Sequence, residues 1–412
     1  MWQGNDLVKT ERLSTVEFVA IVAMLFAMIA YSIDAMLPAL QVIGNELSPS
    51  DVNRGQLVVT SFVFGMGVGT LFVGSLSDAY GRKTVLLLGI VVYVAATWLA
   101  WQASSLGSLL IARFLQGICV AAPRIVGVAI IRDLYSGQRM AKIMSFAMMV
   151  FSIVPAMAPF VGSIILQFYD WRAIFVSFAI FAIFAATWFG MRQRETLPAD
   201  ARIPFRLSEL QRAFAQTMRN RMFVLTTLVQ ALILGMLMSL ISSTQQIYDI
   251  TFNEGARFPA WFAATALIAA SASALNAALV ERFGMRALIT AALICELIIS
   301  VVMVVAVWGE YWPGDSYLIA YFLWSTSIFF MLGFTLGNLN ALAMEPMGHI
   351  AGMAASIAGS VSTVLAVLIA VPVGLAFDGT PLPLAFGSAA CCGVSCLLMR
   401  WIARLNRVAV SN

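Results

Sequence analysis

Apolar stretches long enough to cross a bilayer recur along the chain, separated by short polar breaks. They run at about 17–40, 55–75, 85–103, 107–131, 141–166 and 172–190, then at about 222–247, 258–280, 287–308, 317–343, 352–376 and 383–402. The longest polar stretch, Met191 to Arg221, divides them into two groups of six. The pattern predicts an all-α integral membrane protein of twelve transmembrane helices. Its divisions are a first six-helix half at 1–190, a cytoplasmic linker at 191–221 and a second half at 222–412. Within the linker, Ser208-Glu209-Leu210-Gln211 fits a capping box opening a short amphipathic helix. Leu210, Phe214 and Met218 would form its apolar stripe on the inner membrane surface, with Arg212 and Arg219 toward headgroups.

Charge fixes the orientation. With the N-terminus inside, nineteen of the 24 Lys and Arg residues fall in cytoplasmic segments, from Lys9 and Arg12 to Arg407. Only Arg54, Arg172 and Arg257 fall outside, and Arg113 and Arg124 lie within the fourth span. The positive-inside rule therefore predicts that both termini are cytoplasmic. Composition agrees. At 61% hydrophobic and 11% charged, the 412 residues lack the polar shell of a soluble domain, which is about a quarter charged. The first apolar stretch is too long for a signal-peptide core and is expected to stay as a membrane helix. No basic run marks a nucleic-acid surface. Five cysteines (Cys119, Cys295, Cys391, Cys392, Cys396) all sit in apolar stretches, so neither a disulfide framework nor a metal site is expected. The single histidine, His349, is read as a solvated loop residue.

The chain repeats itself. Gly74-Ser75-Leu76-Ser77-Asp78-Ala79-Tyr80-Gly81-Arg82-Lys83 follows the second span, and Ala277 to Arg286 follows the eighth. At an offset of half the chain, Asp78 meets Glu281, Gly81 meets Gly284, and Lys83 meets Arg286. Gly81 permits a tight turn, and Asp78 can bind a helix N-terminus or an arginine, forming a cytoplasmic gate. Two parallel repeats predict a substrate site near the midplane between halves that rock against one another.

These residues carry a resemblance. GSLSDAYGRK, with Gly74, Asp78, Gly81, Arg82 and Lys83, is similar to the loop signature of the major facilitator superfamily. Arg113-Phe114-Leu115-Gln116-Gly117 resembles that superfamily's fourth-helix signature. Pro155, Pro159 and Gly162 in the fifth span resemble its antiporter motif, although Ala158 and Val161 stand where glycines are usual. Asp34-Ala35-Met36-Leu37-Pro38 and Asp170-Trp171-Arg172 resemble the bicyclomycin/chloramphenicol-resistance branch of the drug:proton antiporters. The resemblance implies a twelve-helix transporter of the bacterial inner membrane, driven by a proton gradient without a cofactor, and expected to act as a monomer.

Ionisable side chains at bilayer depth cost at least about 2.5 kcal/mol and default to a functional hypothesis. Asp34 and Arg113 sit at similar depth, roughly 9 Å below their helix ends at 1.5 Å per residue. By the resemblance, their helices line the central cavity. A carboxylate near an arginine can alternate between paired and protonated states, which suits proton coupling; a permanent ion pair is the other reading. Arg124 lies eleven residues from Arg113, about 20° around the helix, so it shares that face. With no acid within a turn, it is a candidate for binding an anionic or zwitterionic substrate; a distant structural partner is the alternative. Gln245, Asn338 and Met148 complete the candidate substrate site, and Met149 and Phe151 offer adaptable apolar surface beside Met148. Glu296, in the ninth span, is expected either to pair with a neighbouring polar group or to line a crevice.

Proton-coupled export of small amphipathic molecules is the reading these features favour. A metabolite importer or exchanger on the same fold stays open. A membrane enzyme has little behind it, since neither a metalloprotease helix motif nor a nucleotide loop is present.

Overall fold

The computed structural model describes residues 13–309 and 315–411. Lys9 and Arg12, and the side chains of Phe151, Ser152, His349 and Arg407, lie outside the described residues. Among the described residues, twelve helical segments are long and apolar enough to cross a membrane, in register with the twelve predicted spans.

The first span is broken. α1 (Thr15–Asp34) ends at Asp34, a 3-10 turn at Leu37–Ala39 carries Pro38, and α2 (Leu40–Leu47) completes the crossing. Proline lacks the N–H that would continue α1, so the helix stops short of Pro38 and the chain passes it in the 3-10 turn. α3 (Leu57–Tyr80), α4 (Arg82–Trp101), α5 (Leu106–Leu134), α6 (Gly137–Phe168) and α7 (Arg172–Arg192) complete the first group. α8 (Leu207–Arg219) lies in the intervening segment. The second group is α9 (Arg221–Gln246), α10 (Phe258–Phe283), α11 (Met285–Trp308), α12 (Asp315–Met344), α13 (Ala351–Leu375) and α14 (Leu382–Ser411).

Lipid gives helices no hydrophobic reason to associate, so small residues that admit close backbone approach decide the contacts. Gly65 and Gly69 of α3 lie against the Phe114 and Ile118 carbonyls of α5, and Gly117 of α5 lies against the Phe62 carbonyl of α3. A Cβ at any of the three would collide with backbone. Gly67, on the other side of α3, admits Thr363 and Val364 of α13. The seams between the two groups run along α3–α13 and α6–α10.

The two repeated loops share their geometry as well as their sequence. Gly81 joins α3 to α4 at φ 96°, and Gly284 joins α10 to α11 at φ 80°. Both angles lie where side chains are strained, which is why glycine stands at each. Arg82, Lys83, Arg282 and Arg286 make the membrane face that carries these loops a basic face.

α8 corrects the linker expectation in its details. The helix is capped by Arg206, whose side chain makes no capping bond, so Ser208 lies within the helix and the capping box does not form. Its buried stripe is Leu210, Ala213 and Thr217, packed on α9 and α13, while Phe214 faces outward. Met218 packs beside this stripe against a cluster that contains Phe223, Met347 and Ile357.

Candidate functional site

A cavity of about 1020 Å³ lies between the two groups of helices and reaches the basic face. Asp78, Arg82 and Arg132 stand at its mouth, and Met66, Thr70, Ile125, Leu237, Met238 and Thr363 line it further in. Its walls come from α1, α3 and α5 on one side and from α9, α12 and α13 on the other, with Leu210 of α8 at one edge. Arg124 is exposed within this cavity. Eight residues of helix separate it from Arg132, which puts it roughly 12 Å deeper. Gln230 of α9 lines the other wall, is only 7% exposed, and its Oε1 has no hydrogen-bond partner among the described residues.

The opposite face is shut by uncharged groups. Gln56 Nε2 donates to Gln246 Oε1 at 2.8 Å and to the Gly374 carbonyl at 3.1 Å. Ser243 Oγ donates to Gln56 Oε1 at 3.1 Å. Gln246 Nε2 donates to Asn53 Oδ1 at 2.7 Å, and Asn53 Nδ2 reaches the carbonyls of Leu375 and Phe377 at 3.2 and 2.8 Å. Asn53 and Gln56 belong to the first group, whereas every other member comes from α9 or the end of α13. The latch thus ties the groups together where α3 begins and α9 and α13 end, at the far side from Gly81 and Gly284. Asn53 and Gln56 look like ordinary boundary positions at a span end, and no sequence signal singled them out.

Arg113 and Asp34 are near each other in depth, but the expected pair is not formed in this conformation. Arg113 is fully buried. Its Nε donates to the Val58 carbonyl at 3.1 Å, Nη2 to the Ser32 carbonyl at 2.9 Å, and Nη1 to Gln116 Oε1 at 3.0 Å. The Phe62 ring covers its guanidinium at 4.2 Å, and Gln116 in turn donates to Thr97 at 2.6 Å. The arginine therefore clamps α1, α3 and α5 by carbonyls that a helix leaves with a spare lone pair. Asp34 is buried at the last turn of α1, and no described residue makes an ion pair with it. Two residues along a helix is about 200° of rotation, so Ser32 and Asp34 point to different sides. Gly162 of α6 packs against the Ala35 carbonyl, directly beside Asp34. Pro155 and Pro159 lie within the same helix, α6.

The first repeated loop forms a charged cluster within the first group. Arg82 pairs with Asp78 and, at 3.2 Å, with Asp133, and donates to Ser77 Oγ at 2.7 Å. Gly74 stands further up α3 at the cavity wall. Glu195, which sequence reasoning missed, caps α4: it accepts the backbone N–H groups of Arg82 and Lys83 at 2.9 and 3.0 Å, and those of Thr196 and Leu197. An anion on the first N–H groups of a helix is well placed. Lys83 Nζ donates to the Gly190 carbonyl at 2.6 Å, and Ile203 N–H donates to the Asp78 carbonyl at 3.1 Å. A capping carboxylate more than a hundred residues downstream leaves no local pattern to read. In the second loop, Arg286 lies 3.6 Å from Glu345 and Glu281 is exposed.

Three of the candidate substrate residues stand apart from the cavity in this conformation. Asn338 Nδ2 donates to Asn276 Oδ1 at 2.9 Å, a tie between α12 and α10. Gln245 is buried next to the latch, and Met148 is half-buried on α6. Glu296 accepts from Ser300 at 3.0 Å, and Ser300 accepts from Trp324 Nε1 at 3.0 Å, a polar cluster between α11 and α12. Among the described residues, no group of three or more His, Cys, Asp or Glu side chains is arranged to hold a metal ion.

Comparison with known proteins follows the same lines. The family model of the Major Facilitator Superfamily matches residues 19–371. A bicyclomycin resistance protein homolog of Haemophilus influenzae is 27% identical over 95% of this chain and 98% of its own. The multidrug resistance protein MdtL of Vibrio parahaemolyticus is 25% identical over 80% of this chain and 81% of its own. Among solved structures, a D-xylose-proton symporter superposes with a TM-score of 0.76 at 14% identity, covering 94% of this chain and 97% of that one.

Proposed function

Because this chain belongs to the Major Facilitator Superfamily and is a multi-pass transporter of the inner membrane, we propose that it exports small amphipathic molecules in exchange for protons. The observation that carries this reading is the cavity of about 1020 Å³, open at one face and latched at the other. That is one endpoint of alternating access, in which two helix groups rock about a site held between them. The basic face is cytoplasmic by the positive-inside rule, so this endpoint is inward-open and ready to load from the cell interior. Names of relatives that denote drug resistance support the export direction.

Asp34 is the residue we assign to proton coupling. Arginine does not lose its proton in proteins, so of the two deep charges in this region only the carboxylate can carry one. Its position at the break between α1 and the Pro38 turn, against Gly162, puts it where α1 and α6 meet. Arg113 serves as a positioning residue, holding the three helices around it.

Purified protein in proteoliposomes, with a pH gradient imposed and a mixed library of amphipathic compounds inside or outside, tests the reading. Substrate moving against the proton gradient supports antiport. Co-movement with protons assigns uptake, and transport indifferent to pH removes the coupling.

A further inference from the structure

We infer that the cavity holds an anion site: Arg124 takes a carboxylate or phosphate of the transported molecule, and Gln230 takes a hydrogen-bond donor of that molecule from the facing wall. This rests on the cavity being the transport site.

The charge inventory of the cavity makes the case. Among its described lining residues, Asp78 is the one acid, and it stands at the mouth, paired with Arg82. Arg132 is also at the mouth. That leaves Arg124 as the deep charge, exposed to the cavity, with no hydrogen bond or ion pair from any described residue. An arginine placed at membrane depth without a partner is retained at a cost that something must offset. Arg113, on the same helix, shows how this chain satisfies a structural arginine: three acceptors and a covering aromatic ring. Arg124 has none of these. Its guanidinium fork faces the cavity with five N–H donors, a geometry that fits planar carboxylate and phosphate oxygens in pairs.

Gln230 is the second, independent observation. It is buried, and its Oε1 receives no hydrogen bond from any described residue. A buried acceptor without a partner is penalised until a ligand fills it. Because Arg124 lies on α5 and Gln230 on α9, a molecule bound to both touches both rocking groups. Between them the walls are apolar and pliant, with Met66, Leu237 and Met238. The chemistry they select is an amphipathic acid or zwitterion: an apolar body, an anionic group and a donor.

Binding of three compounds that share one skeleton tests this: 2-naphthoate, 2-naphthamide and 2-naphthylmethylamine, titrated into the full-length protein in neutral detergent. The acid is expected to bind about tenfold or more tightly than the amide or the amine, the size of one charge-assisted pair. Arg124→Gln should erase that preference by weakening the acid at least tenfold more than the amide or the amine, and Arg124→Lys should restore part of it. Gln230→Leu should weaken the amide, whose N–H it accepts, and leave the arginine's preference for the acid. Equal binding of all three compounds by the native protein, or equal loss for all three in Arg124→Gln, overturns the proposal. Nanodiscs of phosphatidylcholine with and without phosphatidylglycerol separate a soluble anion from a lipid headgroup. Acid binding that survives in pure phosphatidylcholine supports the site, and occupancy by phosphatidylglycerol alone overturns it. Binding preference and proton-driven flux are separate readouts. Loss of antiport with the preference intact sinks the transport reading and not the anion site, and the converse result does the opposite.

Discussion

Replacing Gln56 by leucine removes the centre of the latch while keeping the volume of the side chain close to that of the original. Three hydrogen bonds go: two donated by Nε2 to Gln246 and the Gly374 carbonyl, and one accepted from Ser243. At about 0.5–1.5 kcal/mol net for each, the closed latch loses roughly 1.5–4.5 kcal/mol. The opened latch loses little, since its groups meet water there. The equilibrium between the inward-open state and its outward-open counterpart should therefore shift by roughly ten- to a thousandfold. Asn53 still holds Gln246 and the carbonyls of Leu375 and Phe377, so the variant should open without unfolding. Spin labels at Ser50 and Thr380, in a background with the five native cysteines replaced by serine, report the separation across this face. A new, longer population is expected, larger in the Asn53→Ala/Gln56→Leu double variant. If the double variant keeps the native distance distribution and melting temperature, the latch does not hold this state and the reasoning fails.

Asp34→Asn is expected to abolish uphill transport driven by a pH gradient while substrate exchange across the membrane persists; uphill transport at the native rate would remove Asp34 from coupling. Asp78→Asn leaves Arg82 with Asp133 and the Ser77 hydroxyl and should slow transport without loss of binding, with changed labelling of cysteines engineered at the cavity mouth. An unchanged labelling pattern with normal transport speaks against that role. Glu195→Ala strips four backbone N–H groups of a carboxylate and should destabilise the protein by about 1–3 kcal/mol. Gly81→Ala should act in the same direction, because a Cβ there meets the Glu195 carboxylate. Thermal melts of both that match the native protein would show the cap to be idle.

The spans and their glycine turns were legible because each depends on local composition: twenty apolar residues, or one residue without a side chain. Pro38 was equally visible, yet the first span was read straight through it. Depth along a helix was also recoverable by counting, and Asp34 and Arg113 do lie at neighbouring levels. Azimuth was not. Arg113 meets the Ser32 carbonyl of α1, about 200° away from Asp34, and no count of residues fixes how two helices are rotated against each other. Arg124 was expected in the cavity because it shares a face with Arg113. It does line the cavity, but Arg113 does not, since the helices close around the first level and part at the second. Asn53, Gln56 and Glu195 escaped notice because their partners lie about a hundred residues away or more, and uncharged amides at a span end carry no signature of their own.

The way the central segment is pinned at both ends has a consequence for range of motion. Up to Ile203 the segment is moored to the first group, through Glu195 on α4 and the Ile203 amide on Asp78. From Leu207 onward it is moored to the second, through the buried face of α8 on α9 and α13. Four Cα steps separate the moorings, and a fully stretched chain covers roughly 14 Å in that distance. The linker is thus a short leash rather than slack rope. Along that edge the mouth can widen only to the leash's length, and any wider swing must first tear Ile203 or α8 from its berth. Along that edge, the opening between the two groups is therefore bounded by the chain itself.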